Sequence, residues 1–272
     1  MSEQNQFDWV DFYKELSGKL LQYKDNREEL IEKVRKIYEI TGINLPTLEK
    51  DNQIIDIDPF TFFGLFNKKL TDANRLSILK AIAGLFDVKA PVPTAFDSIP
   101  VLNPQNATFY YFLPERGDND IQDLWELFDA ALAYAKYPSS DTIAQVSKYF
   151  DLCISKKGNG NSKITMGLYW IAPNALLNLD QRNIWYIYES GKIPVDIVKE
   201  LPAIEAKIPS AKYFDIVEKL RAYLQSDASK LKDFKELSFA AWTYSEKVNQ
   251  EQAPANKAEV KRDNQGAGVA DE

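Results

Sequence analysis

The sequence predicts a mostly helical protein of the all-α class, with at most a short β element near residues 108–113. Apolar residues recur at helical spacing through most of the chain. Residue types that cap helices stand in front of several of these apolar stripes. With 272 residues, 45% of them hydrophobic, the chain can bury a large core without a disulfide or a metal. We therefore expect either a single large helical domain or two helical lobes.

Two helices are predicted at the beginning of the chain. An apolar stripe from Trp9 to Tyr23 indicates the first helix. Asn26, with Glu29 three residues later, is typical of a capping box at the start of the second. Gly42 is the residue type that most often ends a helix. We expect these two helices to pack as an antiparallel hairpin.

Two further helices and a proline-rich segment are predicted next. Asp58 precedes a proline and can cap a short aromatic helix, and Thr71 can cap the one that follows. Four prolines between residues 91 and 104 indicate an extended loop or a domain boundary, so a possible lobe boundary lies at 90–105. The aromatic segment 108–113 fits a short strand, a buried extended segment or a short helix.

Amphipathic helices are predicted for most of the second half. The clearest covers 119–136, and a basic turn over 156–163 precedes the densest apolar segment. Asp180 can cap a later helix. From residue 249 the aromatic and branched apolar residues nearly vanish. We therefore predict a helical region over 1–248 and a disordered tail or linker over 249–272.

The chain contains no histidine and a single cysteine, Cys153. This composition excludes Ser-His-Asp and Cys-His catalysis, and zinc sites built from imidazoles or several thiolates. A lone cysteine cannot close an internal disulfide, which suits a reducing compartment. We interpret Cys153 as a small buried apolar residue. We expect no metal site and no cofactor.

The charge and hydropathy of the chain indicate its location in the cell and the partners it can attract. The formal net charge is −7, so the overall field does not attract nucleic acid, although a local basic groove is compatible with it. The N-terminal residues lack the basic region and apolar run of a secretory signal. No run of about 18 apolar residues is present to span a bilayer. We expect a cytoplasmic protein with no membrane partner.

The segment KKGNGNSKIT, residues 156–165, superficially resembles a phosphate-binding loop. A phosphate loop requires G-x-x-x-x-G-K-[ST], and here the glycines are spaced differently and no glycine precedes the last lysine. The simpler interpretation is a solvated turn between helices. The alternative is a contact with the DNA backbone through Lys156, Lys157 and Lys163.

Carboxylate chemistry has weak candidates. Asp56 and Asp58 could hold a hard metal, but Asp58 as a helix cap and Asp56 as a turn residue explain the pair more simply. Acid-x-Lys triplets such as that beginning at Asp87 lie in loop or helical contexts. A restriction-type metal nuclease needs such a pair on a strand. An enzyme that uses carboxylates alone is therefore the least favoured hypothesis.

The segment that begins at Arg182 combines polar and aromatic residues. Arg182 and Asn183 are residue types that form bidentate contacts with bases. Trp185 follows two residues later and could stack on an unpaired base. The alternative is an ordinary helix start with a surface arginine and core aromatics. We take these three residues, with the three lysines above, as nucleic-acid-binding candidates.

Four segments of the chain resemble a known bacterial family. They are FDWVDFYKELSGKLLQYKDNREELI (7–31), IDPFTFFGLFNKKLTDANRLSILKAI (57–82), NDIQDLWELFDAALAYA (119–135) and ITMGLYWIAPNALLNLDQRN (164–183). They are similar to the N-terminal region of McrB-type proteins, the motor subunits of modified-cytosine restriction systems. The resemblance covers about residues 7–248. It implies a variable region that recognises DNA, followed in such proteins by a GTP-hydrolysing AAA+ ring that works with a separate nuclease subunit.

The resemblance carries no catalytic residue into this chain, because Walker A and Walker B sequences are absent from it. We therefore expect a non-catalytic recognition module of a McrB-like restriction or defence protein that binds DNA, including modified DNA. The alternative is a protein-interaction module that contacts an AAA+ motor or a nuclease subunit. The polar segment after residue 249 fits a linker to a following module.

Overall fold

The computed structural model describes residues 6–51 and 53–266 and confirms the all-α class. In these residues the chain forms helices and no strand. The helices are α1 (Trp9–Leu20), α2 (Arg27–Thr41), α3 (Pro59–Gly64), α4 (Asp72–Phe86), α5 (Asp120–Lys136), α6 (Ser140–Ser155), α7 (Asn161–Ile171), α8 (Gln181–Tyr188), α9 (Val195–Glu200), α10 (Ser210–Leu224) and α11 (Phe234–Gly266).

Helix α7 lies at the centre of the fold. Almost all of its residues are buried, so it has no solvent-facing side, as expected of a helix that is apolar all round. It contacts α1, α3, α5 and α6. Gly167 allows the closest of these approaches, because a Cβ there would lie 2.8 Å from Cδ1 of Phe60.

Some helices pack against their neighbours in the sequence, and others pack against helices that come later. α5 and α6, joined by residues 137–139, form the most extensive contact. α1 packs against α7 and α2 against α4, so the predicted hairpin of the first two helices is not their main packing arrangement. The hairpin prediction assumed that neighbours in sequence bury each other's apolar stripes. Here the central α7 and the later α4 bury them instead.

Side chains fix the beginnings of several helices where the sequence indicated them. The Asp58 carboxylate accepts hydrogen bonds from the Phe60 and Thr61 backbone N–H groups, which confirms its capping role. Thr71 caps α4 in the same way. The Asn26 side chain instead donates to the Glu29 carboxylate at 2.8 Å and makes no capping hydrogen bond, so the predicted capping box does not form.

The segment at 90–105 packs against residues from both halves of the chain. The Trp9 indole donates to the Ser98 hydroxyl at 2.8 Å, and the Trp170 indole donates to the Pro100 carbonyl at 2.9 Å. The Leu102 N–H donates to the Asn67 carbonyl. The segment is thus an ordered strap, and a single buried apolar cluster extends on both sides of it.

The aromatic segment 108–113 is irregular, so the β element allowed for there is absent. Phe109 and Tyr110 are buried. The Phe109 N–H donates to the Thr61 hydroxyl at 2.8 Å, and its carbonyl accepts from the Asn159 amide at 2.9 Å. Because side chains satisfy these backbone groups, the segment can be buried without a partner strand.

The backbone is helical from residue 249 to Gly266, where a disordered tail or linker was predicted. The division into a helical region over 1–248 and a tail or linker over 249–272 stays a prediction, and residues 267–272 lie outside the described part. The segment is rich in Ala, Glu, Lys and Gln, whose helix propensity does not depend on an apolar stripe. Among the described residues, no helix is both long enough and apolar enough to cross a bilayer.

Candidate functional site

A cleft of about 500 Å³ lies where α8 begins. We call it the α8 cleft. Its walls come from five parts of the chain: Lys69, the strap residues 97–101, the first two turns of α7, the start of α8, and Ser238, Phe239 and Trp242 of α11. A volume of this size is typical of small-ligand sites.

The start of α8 is held rigidly at the cleft. The Asp180 carboxylate accepts from the Asn183 N–H at 2.9 Å and thereby caps the helix, as the sequence indicated. Its second oxygen accepts from the Asn178 amide at 2.8 Å. Two bonds therefore fix Asp180, and the side chains of the following turn have a defined position at the cleft.

Asn183 lines the cleft and has an unsatisfied, buried polar atom. Only 1% of the residue is exposed, and its amide nitrogen donates weakly to the Ser238 hydroxyl at 3.3 Å. Its amide oxygen has no hydrogen-bond partner among the described residues. A buried acceptor without a donor costs about 1–3 kcal/mol. A bound group that carries an N–H or O–H would remove this cost.

Arg182 lies at the rim of the same cleft. Its guanidinium forms a 2.6 Å ion pair with Glu246 of α11, and the two side chains remain 45% and 39% exposed. Exposed ion pairs of this kind contribute only about 0–1 kcal/mol. Arg182 can therefore exchange Glu246 for another acceptor at little cost.

Trp185 does not line the α8 cleft. Its ring stacks on Tyr244 of α11, with ring centroids 5.5 Å apart and an interplanar angle of 18°. Lys192 lies over the same Tyr244 ring at 4.2 Å. One face of Trp185 is thus occupied within the protein, and the structure does not bring it together with Arg182 and Asn183 in the cleft.

Two of the predicted lysines are paired with carboxylates away from the cleft. Lys156 donates to Asp120 at 2.9 Å and to Asp123 at 2.6 Å, and only 12% of its side chain is exposed. Lys157 pairs with Glu115 and lies 4.4 Å from the centroid of the Tyr111 ring. DNA would have to displace two carboxylates to reach the largely buried Lys156. The Lys157–Glu115 pair is 58% and 55% exposed, so it can be exchanged at little cost, but it lies away from the cleft.

Lys163 lies in a second depression, of about 550 Å³, at the start of α7. We call it the α7 depression. Its ammonium donates to the Asn106 side-chain oxygen at 2.6 Å and to the Thr108 carbonyl at 2.9 Å. Burial lowers the pKa of Lys163 to about 8, and the charge of Asp58 opposes this effect in part. The α7 depression adjoins the α8 cleft, because Ser162 and Gln181 line both.

Sequence reasoning missed the contribution of α11 to the cleft. Ser238, Trp242 and Glu246 reach Arg182 and Asn183 only because α11 packs against α8. Ser238 is 55 positions away from Asn183, and no motif connects the two segments. Periodicity identified both helices, but it carries no information about which helices meet.

A family described as a domain of unknown function, DUF8425, has a model that matches residues 9–244. This chain belongs to that family. The match extends from α1 into α11 and includes every residue named above as lining the α8 cleft and the α7 depression. No curated protein and no solved structure matches the chain.

Proposed function

We propose that this chain is a non-catalytic recognition module of a restriction-type defence protein and that it binds DNA at the α8 cleft. The unpartnered amide oxygen of Asn183 in a cleft of about 500 Å³ carries the proposal. An unstacked base presents N–H donors on its edge and flat apolar faces, and proteins that read such a base enclose it in a pocket. The resemblance to McrB-type N-terminal regions supports the same function.

The charges of the protein determine the affinity and the salt dependence that we expect for DNA binding. The formal net charge is −7, and Lys156 and Lys157 are already paired with carboxylates. Phosphate contacts therefore contribute little, and we expect modest affinity with a shallow dependence on salt. Arg182, whose present ion pair is exposed, and Lys69, an exposed lysine of the same lining, are the cations that can contact a phosphate or a base edge beside the cleft.

Fluorescence anisotropy with modified and unmodified duplexes, at low and moderate salt, tests the proposal. Arg182→Ala should weaken binding by roughly tenfold, which corresponds to the loss of one charge-assisted contact of about 1.4 kcal/mol. Arg35→Ala is the matched control, because Arg35 also forms an exposed pair with a glutamate, but on α2. If the unaltered protein binds none of the duplexes, or if both variants bind alike, the proposal is wrong.

A second candidate function is a protein-interaction module that docks on an AAA+ motor or a nuclease subunit. The acidic balance and the pairing of the predicted lysines with carboxylates favour it. Light scattering after size exclusion, alone and mixed with the products of neighbouring genes, measures such assembly. A protein that stays monomeric in every mixture contradicts this alternative.

A further inference from the structure

The start of α7 has backbone donors with no acceptor in the part of the chain that the structure describes. Gly160 occupies the N-cap position and provides no side-chain cap. The first N–H of α7 to bond within the helix is that of Ile164, which donates to the Gly160 carbonyl. The N–H groups of residues 161–163 precede it and lie at the positive end of the helix. No atom lies within 4 Å of a Cβ built on Gly160, so there is room beside this turn.

A buried cation lies at the same place. Lys163 is only 6% exposed, and both of its hydrogen-bond acceptors are neutral oxygens. An ammonium group has three N–H donors, so one remains for another acceptor. Among the described residues, no carboxylate lies within ion-pair distance of this ammonium. The α7 depression therefore combines a buried positive charge with the positive end of a helix, and both favour an anion.

A residue that lines the α7 depression carries a buried, unpartnered acceptor, which restricts which anion fits. Asn159 lines the depression and is 7% exposed. Its amide nitrogen donates to the Phe109 and Cys153 carbonyls, which fixes the orientation of the amide. Its amide oxygen has no partner among the described residues. An anion that satisfies this oxygen must itself carry a proton to donate.

We propose that the α7 depression binds a phosphate group that retains a proton, as in inorganic phosphate or a phosphate monoester. The N–H groups of residues 161–163 and the Lys163 ammonium would donate to its unprotonated oxygens. The P–O–H group would donate to the Asn159 amide oxygen. A phosphodiester has no such proton, and neither does sulfate at neutral pH, so neither satisfies the whole site. This ligand is distinct from the DNA backbone, and the inference does not depend on DNA binding.

Isothermal titration calorimetry of the purified chain at pH near 6.5 tests the proposal, with inorganic phosphate, methyl phosphate, dimethyl phosphate and sulfate as probes. At this pH a phosphate monoester, whose second pKa is about 6, is partly protonated. We expect phosphate and methyl phosphate to bind about tenfold more tightly than sulfate or dimethyl phosphate, because one buried hydrogen bond is missing in the latter two. Sulfate binding as tight as phosphate, or no phosphate binding at all, overturns the proposal.

Two variants at the site and one control variant separate loss of the site from loss of the fold. Ser162→Asp places a carboxylate in the first turn of α7, where it stabilises the helix and competes for the same donors. It should abolish phosphate binding while the melting temperature is unchanged or higher. Lys163→Met should weaken phosphate binding at least tenfold, whereas Lys157→Met, a neighbouring exposed lysine, should not. A Ser162→Asp protein that binds phosphate like the unaltered chain refutes the assignment.

Discussion

Replacing Asp58 by asparagine should change how the stability of the protein depends on pH. The Asp58 side chain is completely buried and caps α3. Burial raises the pKa of its carboxyl from 3.8 to about 6, against the opposing effect of hydrogen bonds from Thr61 and Phe60. The folded state therefore holds this proton more tightly than the unfolded state does. Protonation of Asp58 stabilises the fold below about pH 4, and this stabilisation is lost as the pH rises through about 6.

The magnitude follows from the two pKa values. A rise from 3.8 to about 6 corresponds to about 3 kcal/mol of folding free energy that depends on pH. The amide introduced by Asp58→Asn cannot ionise, so the variant lacks this contribution. Groups that do not interact with Asp58 titrate alike in both proteins, and Lys163, whose pKa depends on the charge of Asp58, titrates near pH 8, above the range compared. At pH 4 the unfolded carboxyl is already partly ionised, so the difference in unfolding free energy between the two should shift by about 2 kcal/mol in favour of Asp58→Asn between pH 4 and pH 7.

Urea unfolding followed by tryptophan fluorescence measures this difference, since the chain has five tryptophans. The amide also changes the hydrogen bond with the Thr61 hydroxyl, but that offset is the same at every pH. Only the pH dependence of the difference tests the reasoning. A difference that stays constant within about 0.5 kcal/mol from pH 4 to pH 7 would show that burial does not raise the pKa of Asp58.

Three further predictions concern packing, reactivity and capping. Gly167→Ala should destabilise the protein by about 1–3 kcal/mol in urea unfolding, because the added Cβ would meet Phe60 and Phe109. Gly84→Ala should stabilise the protein by about 0.5–1 kcal/mol, because open space surrounds Gly84 in α4 and alanine has the higher helix propensity. Burial raises the pKa of the Cys153 thiol well above its ordinary value. A thiol reagent should therefore label the protein only after unfolding, and rapid labelling of the native protein would contradict this prediction. Ser139→Ala should lower stability by about 1 kcal/mol, because the Ser139–Thr142 capping box begins α6, and an unchanged urea midpoint would argue against that role.

The sequence predicted the local structure well where a single side chain decides it. Asp58, Thr71 and Asp180 each cap the helix that follows, and Gly42 ends α2 in the left-handed conformation. These outcomes depend on groups within four residues of each other. Helical spacing of apolar residues likewise located α5, predicted over 119–136, to within one residue of its observed bounds.

The candidate site could be predicted only in part. Arg182, Asn183 and Lys163 do line the α8 cleft and the α7 depression. The sequence also predicted Lys156 and Lys157 as binding candidates. In the folded protein both form ion pairs with carboxylates over 30 positions away. A sequence pattern shows which side chains are charged. It does not show which of them are already paired in the folded protein.

The sequence by itself therefore determined the all-α class, the starts of α3, α4 and α8, the end of α2, the extent of α5, and the lack of imidazole chemistry. Composition, periodicity and capping determine these features because they act over a few neighbouring residues. Only the tertiary structure decided that α1 packs against α7, that residues 90–105 form a strap, and that Ser238 of α11 faces Asn183 of α8. The physical reason is that burial of apolar surface is not directional. Many pairings of amphipathic helices bury similar areas, and only the complete packing of side chains selects one of them.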